Sequence, residues 1–466
     1  MKKPLVALVL AAGEGTRFRS ETNKVLHPVL GTCLLGLVLD TVASLRPDRT
    51  VIVTGRGSED VRRQAAPWGA DFAFQAERRG TGHAVQAAKS AFRTAADVLV
   101  VLADMPLLRP AALKALLARH RRRGNAATVL SAVVGDPSGF GRIVRSADGR
   151  VRIVEDADAE PAVRAITEVN AAVYVFDAGE LRKALLKLSQ ANAPKEYYLT
   201  DVIGILSAGR KKVDVVPTDA PGDIRQVSSR YDLGPVVDVL RDRKVRELSD
   251  RGVTVLNPAS TWIDLGVDIG PESVIYPSVV IEGATTIGRA ARIYPGAHLI
   301  EAQLGDRVTV FSSTVIEKST IEDGVTVGPF ARLRPRTILR AGAHVGNFVE
   351  MKNTDFGRGA KAGHLSYLGD SEIQEGVNIG AGTITCNYDG FRKNRTIIEA
   401  GAFIGSGTEL VAPVRVGRGA YVAAGSVITK DVSPDALAVA RGRQFEKPEW
   451  AKRKREEQAA EKRAKD

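Results

Sequence analysis

Residues 263–299 read IDLGVDIGPESVIYPSVVIEGATTIGRAARIYPGAHL and decide the fold of the second half of the chain. An aliphatic residue recurs at every sixth position of this stretch, at Ile263, Ile269, Ile275, Ile281, Ile287, Ile293 and Leu299. The same spacing returns near the C-terminus, at Ile398, Ile404, Leu410, Val416, Val422 and Ile428. An α-helix would scatter these side chains around its axis, whereas a solenoid with one short strand per face points them all inward. The repeat therefore predicts a parallel β-helix with three six-residue repeats per coil.

The repeat breaks between Phe330 and Asn394, where polar and cationic residues accumulate. Because the repeat itself needs only aliphatic and small residues, we expect loops to leave the β-helix there and to form a site. A single histidine is more often a surface residue than a catalytic one. However, His364 is one of only six histidines and stands between Lys352 and Tyr367 in this stretch, which favours a functional role.

The first half of the chain has a different pattern, in which short apolar runs alternate with amphipathic segments. The apolar runs lie at 5–10, 51–53, 98–102 and 129–134, and the longer amphipathic segments include 33–45 and 110–122. This alternation predicts an α/β domain with a mostly parallel sheet that is covered on both faces. Ligands of such domains bind beyond the carboxyl ends of the strands.

Glycines and charged residues follow two of these predicted strands. Gly13 and Gly15 come after the first strand, where they let backbone N–H groups approach a phosphate closely. The third glycine of a dinucleotide-binding motif is missing, and the loop is not a Walker sequence. Arg17 and Lys24 can reach a polyphosphate as cations. Asp104 ends a second apolar strand, where a carboxylate either caps a turn or holds Mg²⁺.

Composition limits the class of protein. A globular chain of 466 residues with 44% hydrophobic and 26% charged residues has two to four domains of about 100–200 residues each. Two cysteines, Cys33 and Cys386, exclude a disulfide framework and indicate a reducing compartment. No apolar run approaches the about 18 residues of a membrane span, and we read no secretory signal, so we expect a cytoplasmic protein.

The domain boundaries are placed where the pattern changes. Residues 1–228 are assigned to the α/β domain, 229–250 to a charged connecting helix, 251–446 to the β-helix and 447–466 to a charged tail. From Arg441 to Asp466 there are 10 basic and 6 acidic residues, which predicts a solvated helix or a disordered arm.

The motifs of the first half resemble those of the sugar-1-phosphate nucleotidylyltransferases. With the repeat half, the chain from about Leu5 to Trp450 resembles the bifunctional N-acetylglucosamine-1-phosphate uridylyltransferase / glucosamine-1-phosphate N-acetyltransferase family. The resemblance implies a Rossmann-like nucleotidylyltransferase domain followed by a left-handed parallel β-helix, with Mg²⁺ as the metal and a homotrimer as the assembly. It implies that acetyl-CoA acetylates glucosamine-1-phosphate and that the N-acetylglucosamine-1-phosphate formed takes UMP from UTP, releasing pyrophosphate.

The resemblance also implies the residues of the uridylyltransferase site. Arg17 and Lys24 would neutralise the UTP phosphates, and Asp104 would ligate Mg²⁺. The full set implied to bind UTP and UDP-N-acetylglucosamine is Leu10, Ala11, Ala12, Gly13, Arg17, Lys24, Gln75, Gly80, Thr81, Gly141, Glu155 and Asn170.

For the acetyltransferase site, the resemblance implies that His364 is the general base that takes a proton from the amine, a task to which an imidazole is suited at neutral pH. The implied sugar-phosphate ligands are Arg334, Lys352, Tyr367 and Asn378. The implied acetyl-CoA ligands are Ala381, Asn387, Tyr388, Ser406, Ala424 and Arg441. Cys386 is read as an ordinary small residue, since direct attack by the amine needs no acyl-enzyme.

The chain departs from the family pattern at three places in its first half. Ala103 precedes the metal aspartate where the family has glycine, and Ala171-Ala172 follows Asn170 where the family has Thr-Gly. The asparagine expected as second metal ligand is missing, and the best local match assigns Asp223 to that role.

Two other classes of function compete with this interpretation. The first is a nucleotidylyltransferase of altered sugar or nucleotide specificity whose β-helix is structural or regulatory; the setting of His364 argues against it. The second is a protein that binds nucleic acid or an anionic membrane, which the net charge of +12 could favour. No nucleic-acid motif or interleaved aromatic residues support the second class, and anionic substrates explain part of the charge equally well.

Overall fold

The computed structural model describes residues 3–13, 15–55, 58–92, 95–190, 192 and 195–464. The chain divides into two compact units, Met1–Glu247 with Ile263–Leu265 and Leu248–Trp262 with Gly266–Asp466. Within the described ranges, no helix is both long enough and apolar enough to cross a membrane.

The first unit contains strands and helices in alternation. Its strands are β1 Leu5–Leu10, β2 Pro28–Val29, β3 Thr32–Cys33, β4 Arg49–Thr54, β5 Asp71–Phe74, β6 Asp97–Leu102, β7 Ala127–Val133, β8 Arg142–Arg145, β9 Val151–Val154, β10 Glu168–Asp177 and β11 Val213–Pro217. Its helices are α1 Leu34–Ala43, α2 Glu59–Gln64, α3 Thr81–Ala87, α4 Pro110–Arg123, α5 Pro161–Arg164, α6 Ala178–Leu185 and α7 Thr200–Ala208; α8 Leu233–Asp250 follows.

Except for β2 and β3, which pair with each other, these strands form a mixed sheet in the order β11-β7-β10-β6-β1-β4-β5, with β8 paired to β10 and β9 paired to β8. The pairs β1–β4, β1–β6 and β4–β5 are parallel, whereas β10 is antiparallel to both β6 and β7. All six residues of β1 are buried because alternate side chains enter two cores. Leu5, Ala7 and Val9 share a core with α1 and α4, and the other three residues share one with α6 and α7. The predicted α/β domain is thus confirmed.

The second unit is a β-helix of short parallel strands that belong in turn to three sheets. Its strands are β12 Thr254–Val255, β13 Trp262–Ile263, β14 Asp268–Ile269, β15 Val274–Ile275, β16 Val280–Glu282, β17 Thr286–Ile287, β18 Arg292–Ile293, β19 His298–Ile300, β20 Gln303–Leu304, β21 Thr309–Val310, β22 Val315–Glu317, β23 Thr320–Ile321, β24 Thr326–Val327, β25 Arg332–Leu333, β26 Ile338–Leu339, β27 His344–Asn347, β28 Glu350–Lys352, β29 Asp355–Phe356, β30 Lys361–His364, β31 Tyr367–Gly369, β32 Ser371–Ile373, β33 Asn378–Ile379, β34 Ile384–Cys386, β35 Thr396–Ile398, β36 Phe403–Ile404, β37 Glu409–Val411, β38 Val414–Val416, β39 Tyr421–Val422, β40 Val427–Ile428 and β41 Leu437–Ala438. The aliphatic residues of the repeat are buried, and each contributes about 1.5–3 kcal/mol to stability. The predicted left-handed parallel β-helix is confirmed.

The expectation that loops leave the β-helix between Phe330 and Asn394 holds for one segment only. Strands continue from β25 to β34, and the six-residue period slips because coils differ in length. Val327 pairs with Val345, 18 residues later, whereas Val345 pairs with Ala362, 17 residues later. The long excursion in this stretch is confined to residues 387–395, between β34 and β35.

In the described part of the charged tail, up to residue 464, lies the helix α9 Trp450–Arg463. Every residue of this helix is exposed, as expected for a solvated helix.

Candidate active sites

In the first unit, a cavity of about 250 Å³ lies where β1, β5 and β6 end. Parallel strands end at the same edge of a sheet, which is where ligands bind in this class of domain. Nine predicted residues line the cavity: Leu10, Ala11, Ala12, Gly13, Lys24, Gln75, Gly80, Thr81 and Asp104. The structure therefore brings together most of the predicted nucleotide-binding residues.

Two glycines shape this cavity in different ways. Gly80 precedes α3 with a φ of 100°, and a Cβ at this position would lie 2.6 Å from the carbonyl oxygen of Tyr197, so only glycine fits. At Gly13 a Cβ would meet no atom within 4 Å. The backbone after β1 therefore faces open space that a ligand can fill.

Asp104 has one carboxylate oxygen paired and one unpaired. Its Oδ2 accepts a hydrogen bond of 2.5 Å from Lys24 Nζ. Its Oδ1 is buried and has no hydrogen-bond partner among the described residues. Such an oxygen is costly to bury, and a divalent cation would satisfy it.

A metal ion at Asp104 would need further ligands. The described part of the chain contains no group of three or more His, Cys, Asp or Glu side chains that could hold a metal by itself. Mg²⁺ commonly binds one or two carboxylates together with water and substrate phosphates. The residues therefore fit Mg²⁺ held jointly with a nucleotide.

A second cavity of about 210 Å³ shares Leu10, Thr81 and Leu102 with the first. Its lining includes the predicted sugar-binding residues Gly141, Glu155 and Asn170, together with Phe140, Ala172, Tyr174, Thr200 and Gln226. The two cavities are thus adjacent, as a site that joins a nucleotide to a sugar phosphate requires.

Asn170 is held in one orientation at this second cavity. It is buried, its amide nitrogen donates to Tyr174 Oη at 2.7 Å, and its Oδ1 accepts from the backbone N–H of Ala172 at 3.0 Å. Burial raises the pKa of Tyr174 above its ordinary value, so its hydroxyl stays protonated. Ala172 has a φ of 54°, in the left-handed region that favours glycine. One departure from the family pattern therefore coincides with a strained residue beside the sugar pocket.

Glu155 supplies a partly desolvated carboxylate to the same cavity. Its Oε1 accepts a hydrogen bond of 2.8 Å from Thr200 Oγ1. Burial, with a further contribution from Asp201, raises its pKa above the ordinary value. An acceptor in such a setting is suited to bind sugar hydroxyl groups.

Two predicted residues lie outside the linings of both cavities. Arg17 is exposed on a turn of 3₁₀ helix, Thr16–Phe18. Asp223 accepts hydrogen bonds from Arg109 Nε and, at 2.5 Å, from Arg243 Nη2. A metal ion at Asp223 would have to displace two guanidinium groups, so the geometry does not support Asp223 as a second metal ligand beside Asp104.

Arg78 lines the first cavity but is absent from the predicted set. Its Nε donates to the carbonyl oxygen of Ala12 at 2.7 Å and so fixes the loop after β1. Its position inside the segment from Gln75 to Ala84 is the only signal that the sequence offers.

In the second unit, His364 belongs to a row of residues at one edge of the β-helix. Asn347, His364, Ala381, Ser406 and Ala424 each precede a residue with positive φ, in five consecutive coils. The predicted general base therefore lines up with three of the predicted acetyl-CoA ligands. Asn347 was not predicted as a site residue.

The hydrogen bond between Asn347 and His364 selects one tautomer of the neutral imidazole. His364 Nδ1 lies 2.9 Å from Asn347 Oδ1. Since this oxygen can only accept, Nδ1 donates, and in the neutral imidazole this tautomer leaves the lone pair on Nε2. His364 is exposed at the edge, so Nε2 can act as a base on a bound amine.

A cationic group lies on the face that contains β25, β28 and β31. Lys352 has its pKa lowered, mainly by Lys393 and also by Arg334, because the positive charges repel each other. Arg334 Nη1 also donates to Glu350 Oε1 at 3.0 Å. Neighbouring cations of this kind are suited to bind a phosphate. Lys393 was missed because it lies 41 positions after Lys352, in the excursion.

The side chains of Tyr367 and Asn387 both lie close to Gly369. A Cβ on Gly369 would lie 2.5 Å from Tyr367 Oη and 2.7 Å from Asn387 Nδ2, so the glycine makes room for both side chains. In contrast, Asn378 belongs to the sheet of β30 and β36, and Lys352 to another sheet. One chain therefore does not bring all four predicted sugar-phosphate ligands to the same face.

The remaining predicted ligands lie near the end of the β-helix or in the excursion. Arg441 Nη1 donates to the carbonyl oxygen of Ala424 at 2.6 Å, which joins two predicted acetyl-CoA ligands. Tyr388 is exposed, and its Oη donates to the carbonyl oxygen of Gly390 at 2.6 Å. Cys386 has its pKa raised by burial, which disfavours a thiolate and agrees with a passive role.

Comparison with known proteins gives two family matches and a set of full-length relatives. Residues 7–193 match the MobA-like NTP transferase domain, and residues 395–430 match the bacterial transferase hexapeptide (six repeats). The chain is 44% identical over 452 residues to the bifunctional protein GlmU of Thermotoga maritima, covering 97% of this chain and 100% of that protein. It is 43% identical to GlmU of Streptococcus agalactiae serotype III (96% and 98% covered) and 44% identical to that of Methylococcus capsulatus (96% and 97%).

These matches define a transferase in which a nucleotidyltransferase domain is joined to a hexapeptide-repeat domain. With 44% identity across nearly the whole of both chains, the chain belongs to the family of the bifunctional GlmU proteins. The prediction of a bifunctional nucleotidyltransferase and acetyltransferase is thereby confirmed.

Proposed function

We propose that the β-helix acetylates glucosamine-1-phosphate with acetyl-CoA and that the first domain then transfers UMP from UTP to the product. The observation that carries the acetyltransferase assignment is the 2.9 Å contact between His364 Nδ1 and Asn347 Oδ1. In the neutral imidazole, this contact places the lone pair on Nε2, beside the row of predicted acetyl-CoA ligands.

In the acetyl transfer, the sugar amine attacks the thioester carbonyl carbon while His364 Nε2 accepts the amine proton. A C–N bond forms, the C–S bond breaks, and coenzyme A leaves as the thiol after it takes up a proton. Arg334, Lys352 and Lys393 would hold the sugar phosphate through charge-assisted hydrogen bonds. No covalent intermediate on the protein is required.

In the uridylyl transfer, a phosphate oxygen of N-acetylglucosamine-1-phosphate attacks the α-phosphorus of UTP, and pyrophosphate leaves. The protein positions the two substrates in adjacent cavities, and Lys24 contributes positive charge. Mg²⁺, which we propose to bind at Asp104, supplies further charge neutralisation at the phosphates. Glu155 and Asn170 orient the sugar.

We further propose that the chain assembles as a homotrimer with shared acetyltransferase sites. Phe330, Phe348 and Leu365 occupy one edge of the β-helix and are 53%, 54% and 61% exposed. Such an apolar ridge is suited to pack against a second copy of the chain. The separation of Asn378 and Lys352 on different sheets also supports a site completed by a neighbour. A cytoplasmic location is supported by the two unpaired cysteines.

One experiment tests both assignments. Purified protein is supplied with glucosamine-1-phosphate, acetyl-CoA, UTP and Mg²⁺, and thiol and pyrophosphate are followed separately. We expect both products. Thiol without pyrophosphate would contradict the assignment of the first domain, and absence of thiol would contradict that of the second.

Two variants separate the sites. His364→Ala should abolish thiol release and spare pyrophosphate release from supplied N-acetylglucosamine-1-phosphate, whereas Asp104→Ala should do the reverse. His344→Ala is a matched control, because His344 lies in the β-helix and bonds only Thr326 among the described side chains. Equal loss of both activities in a folded His364→Ala protein would contradict separate sites.

A further inference from the structure

We propose that Asp370 is a positioning residue of the acetyl-transfer site, a role that rests on the function proposed above. Asp370 follows β31, and its side chain is 13% exposed. Its Oδ1 accepts a hydrogen bond of 2.6 Å from Asn353 Nδ2, and its Oδ2 accepts one of 2.6 Å from Asn387 Nδ2. One carboxylate thus holds side chains from the coils before and after its own.

The backbone of Asp370 ties the same coils together. Its N–H donates to the carbonyl oxygen of Lys352 at 2.9 Å, and its carbonyl oxygen accepts from the N–H of Thr396 at 3.2 Å. Lys352 is a predicted phosphate ligand, and Thr396 begins the first strand after the excursion. Asp370 therefore fixes the start and the end of the segment that contributes Asn387 and Lys393.

The hydrogen bond to Asp370 determines what Asn387 offers to a ligand. A carboxylate only accepts, so the amide nitrogen of Asn387 must face Asp370. The amide then presents its Oδ1 as an acceptor, suited to an N–H group of the bound amine or of the pantetheine arm. A reversed amide would place two acceptors against each other and would offer the ligand a donor instead.

The charge of Asp370 also organises the cations. Lys393 Nζ lies 4.0 Å from Asp370 Oδ2, and Lys393 in turn is the main cause of the lowered pKa of Lys352. Asp370 acts in the opposite direction and raises the pKa of Lys352. Without its negative charge, Lys352, Lys393 and Arg334 would repel each other with less compensation, and Lys352 would be harder to keep protonated.

The test is Asp370→Asn in the full-length protein, with acetyl transfer followed by thiol release. Asparagine keeps the size of the side chain but cannot accept from both neighbours and has no charge. We expect kcat/KM for glucosamine-1-phosphate to fall about 10- to 100-fold. We also expect the alkaline limb of its pH profile to move to lower pH, because Lys352 loses a neighbour that raises its pKa. A merely structural role would lower the active fraction without moving this limb.

The matched control is Asp355→Asn, which removes another carboxylate of the β-helix. Asp355 pairs with Arg340 and lies in a different sheet from β31, the strand that precedes Asp370. It should leave the pH profile and kcat/KM unchanged. An unaltered rate and profile in Asp370→Asn, in a protein whose wild type releases thiol, would overturn the inference while leaving the proposed function standing. Absence of thiol from the wild type would overturn the function itself.

A second variant keeps the test decisive if Asp370→Asn does not fold. Asp370→Glu retains the charge but moves the carboxylate by one methylene group. We expect it to keep the position of the alkaline limb and to lose turnover through the displaced Asn387. Wild-type turnover in a folded Asp370→Glu protein would overturn the positioning role.

Discussion

Replacing Gly346 with alanine should disable acetyl transfer while leaving uridylyl transfer intact. Gly346 lies in β27, directly before Asn347, whose Oδ1 holds His364 Nδ1. A Cβ on Gly346 would lie 1.9 Å from the carbonyl oxygen of Gly363, whereas 3.0 Å is the closest approach that real Cβ atoms tolerate. Since the obstacle is backbone of the next coil, the strand that carries His364 must move by about 1 Å.

This displacement sets the expected magnitude. A shift of about 1 Å in a catalytic group can cost about 100-fold in rate. Overpacking at one position costs about 1–3 kcal/mol of stability, which a β-helix with ten or so coils can bear. We therefore expect a folded protein whose acetyl transfer is reduced about 100-fold and whose melting temperature is lower by several degrees.

Thiol release and pyrophosphate release are measured separately on the purified variant, together with a thermal melt. Gly266→Ala is the matched control in the same β-helix, because a Cβ there would meet only the carbonyl oxygen of Gly283 at an ordinary 3.6 Å. It should leave both activities unchanged. Acetyl transfer within threefold of wild type in Gly346→Ala would refute the reasoning that coil spacing places His364.

Three further predictions concern the first domain. Ala172→Gly should stabilise it by up to about 1 kcal/mol, because glycine adopts a φ of 54° more readily than alanine; calorimetry checks this. Glu155→Gln should raise the melting temperature at pH 7 but not near pH 4, while weakening sugar-phosphate binding. Burial raises the pKa of Glu155 in the folded state. The wild-type protein therefore loses stability as the pH rises from the unfolded-state pKa of Glu155 toward its raised folded-state pKa. Melting curves of wild type and Glu155→Gln at pH 4 to 8 measure the difference in melting temperature. Arg142→Lys should lower the free energy of unfolding by about 2–4 kcal/mol and raise KM for N-acetylglucosamine-1-phosphate. The buried guanidinium donates to Phe140 O, Asp156 Oδ1 and Arg164 O, and lysine reproduces only part of this set. Denaturant titration measures the stability, and initial rates measure KM.

The fold of this chain is readable from its sequence because burial imposes it on each repeat. Ile269, Ile287 and Leu304 stack in one sheet, and a polar residue at any of these positions would be buried without a partner. The stretch in which the six-residue period is lost is harder to interpret. A coil of 17 residues and a loop that leaves the β-helix both shift this period, so the two cannot be told apart from sequence. The sequence therefore overestimates the length of the loop region.

Residues of the candidate sites can be predicted from sequence only where the residues that act together are close in the chain. Asp104 is conspicuous because it follows an apolar strand closely, and Lys24 because it is a cation downstream of the glycine-containing loop after β1. Asp223 also matches a local motif, but Arg109 approaches it from 114 positions away, which no short motif reveals. Asp370 could not be predicted for the same reason, because its proposed role depends on Asn387, which lies 17 positions later and one coil further on.

The edge that carries His364, the proposed general base, is subject to different constraints from the buried core of the β-helix. In earlier coils, the residue before the turn with positive φ is Pro277 or Pro295, and proline restricts the backbone there. In later coils the same position holds Asn347, His364 or Ala381. None of these five residues is buried, so the position is free of the packing demands that fix the inward aliphatic residues. Side chains at this edge can therefore be chosen for chemistry with little effect on folding, which is why His364→Ala should lose acetyl transfer and keep the melting temperature of the wild type.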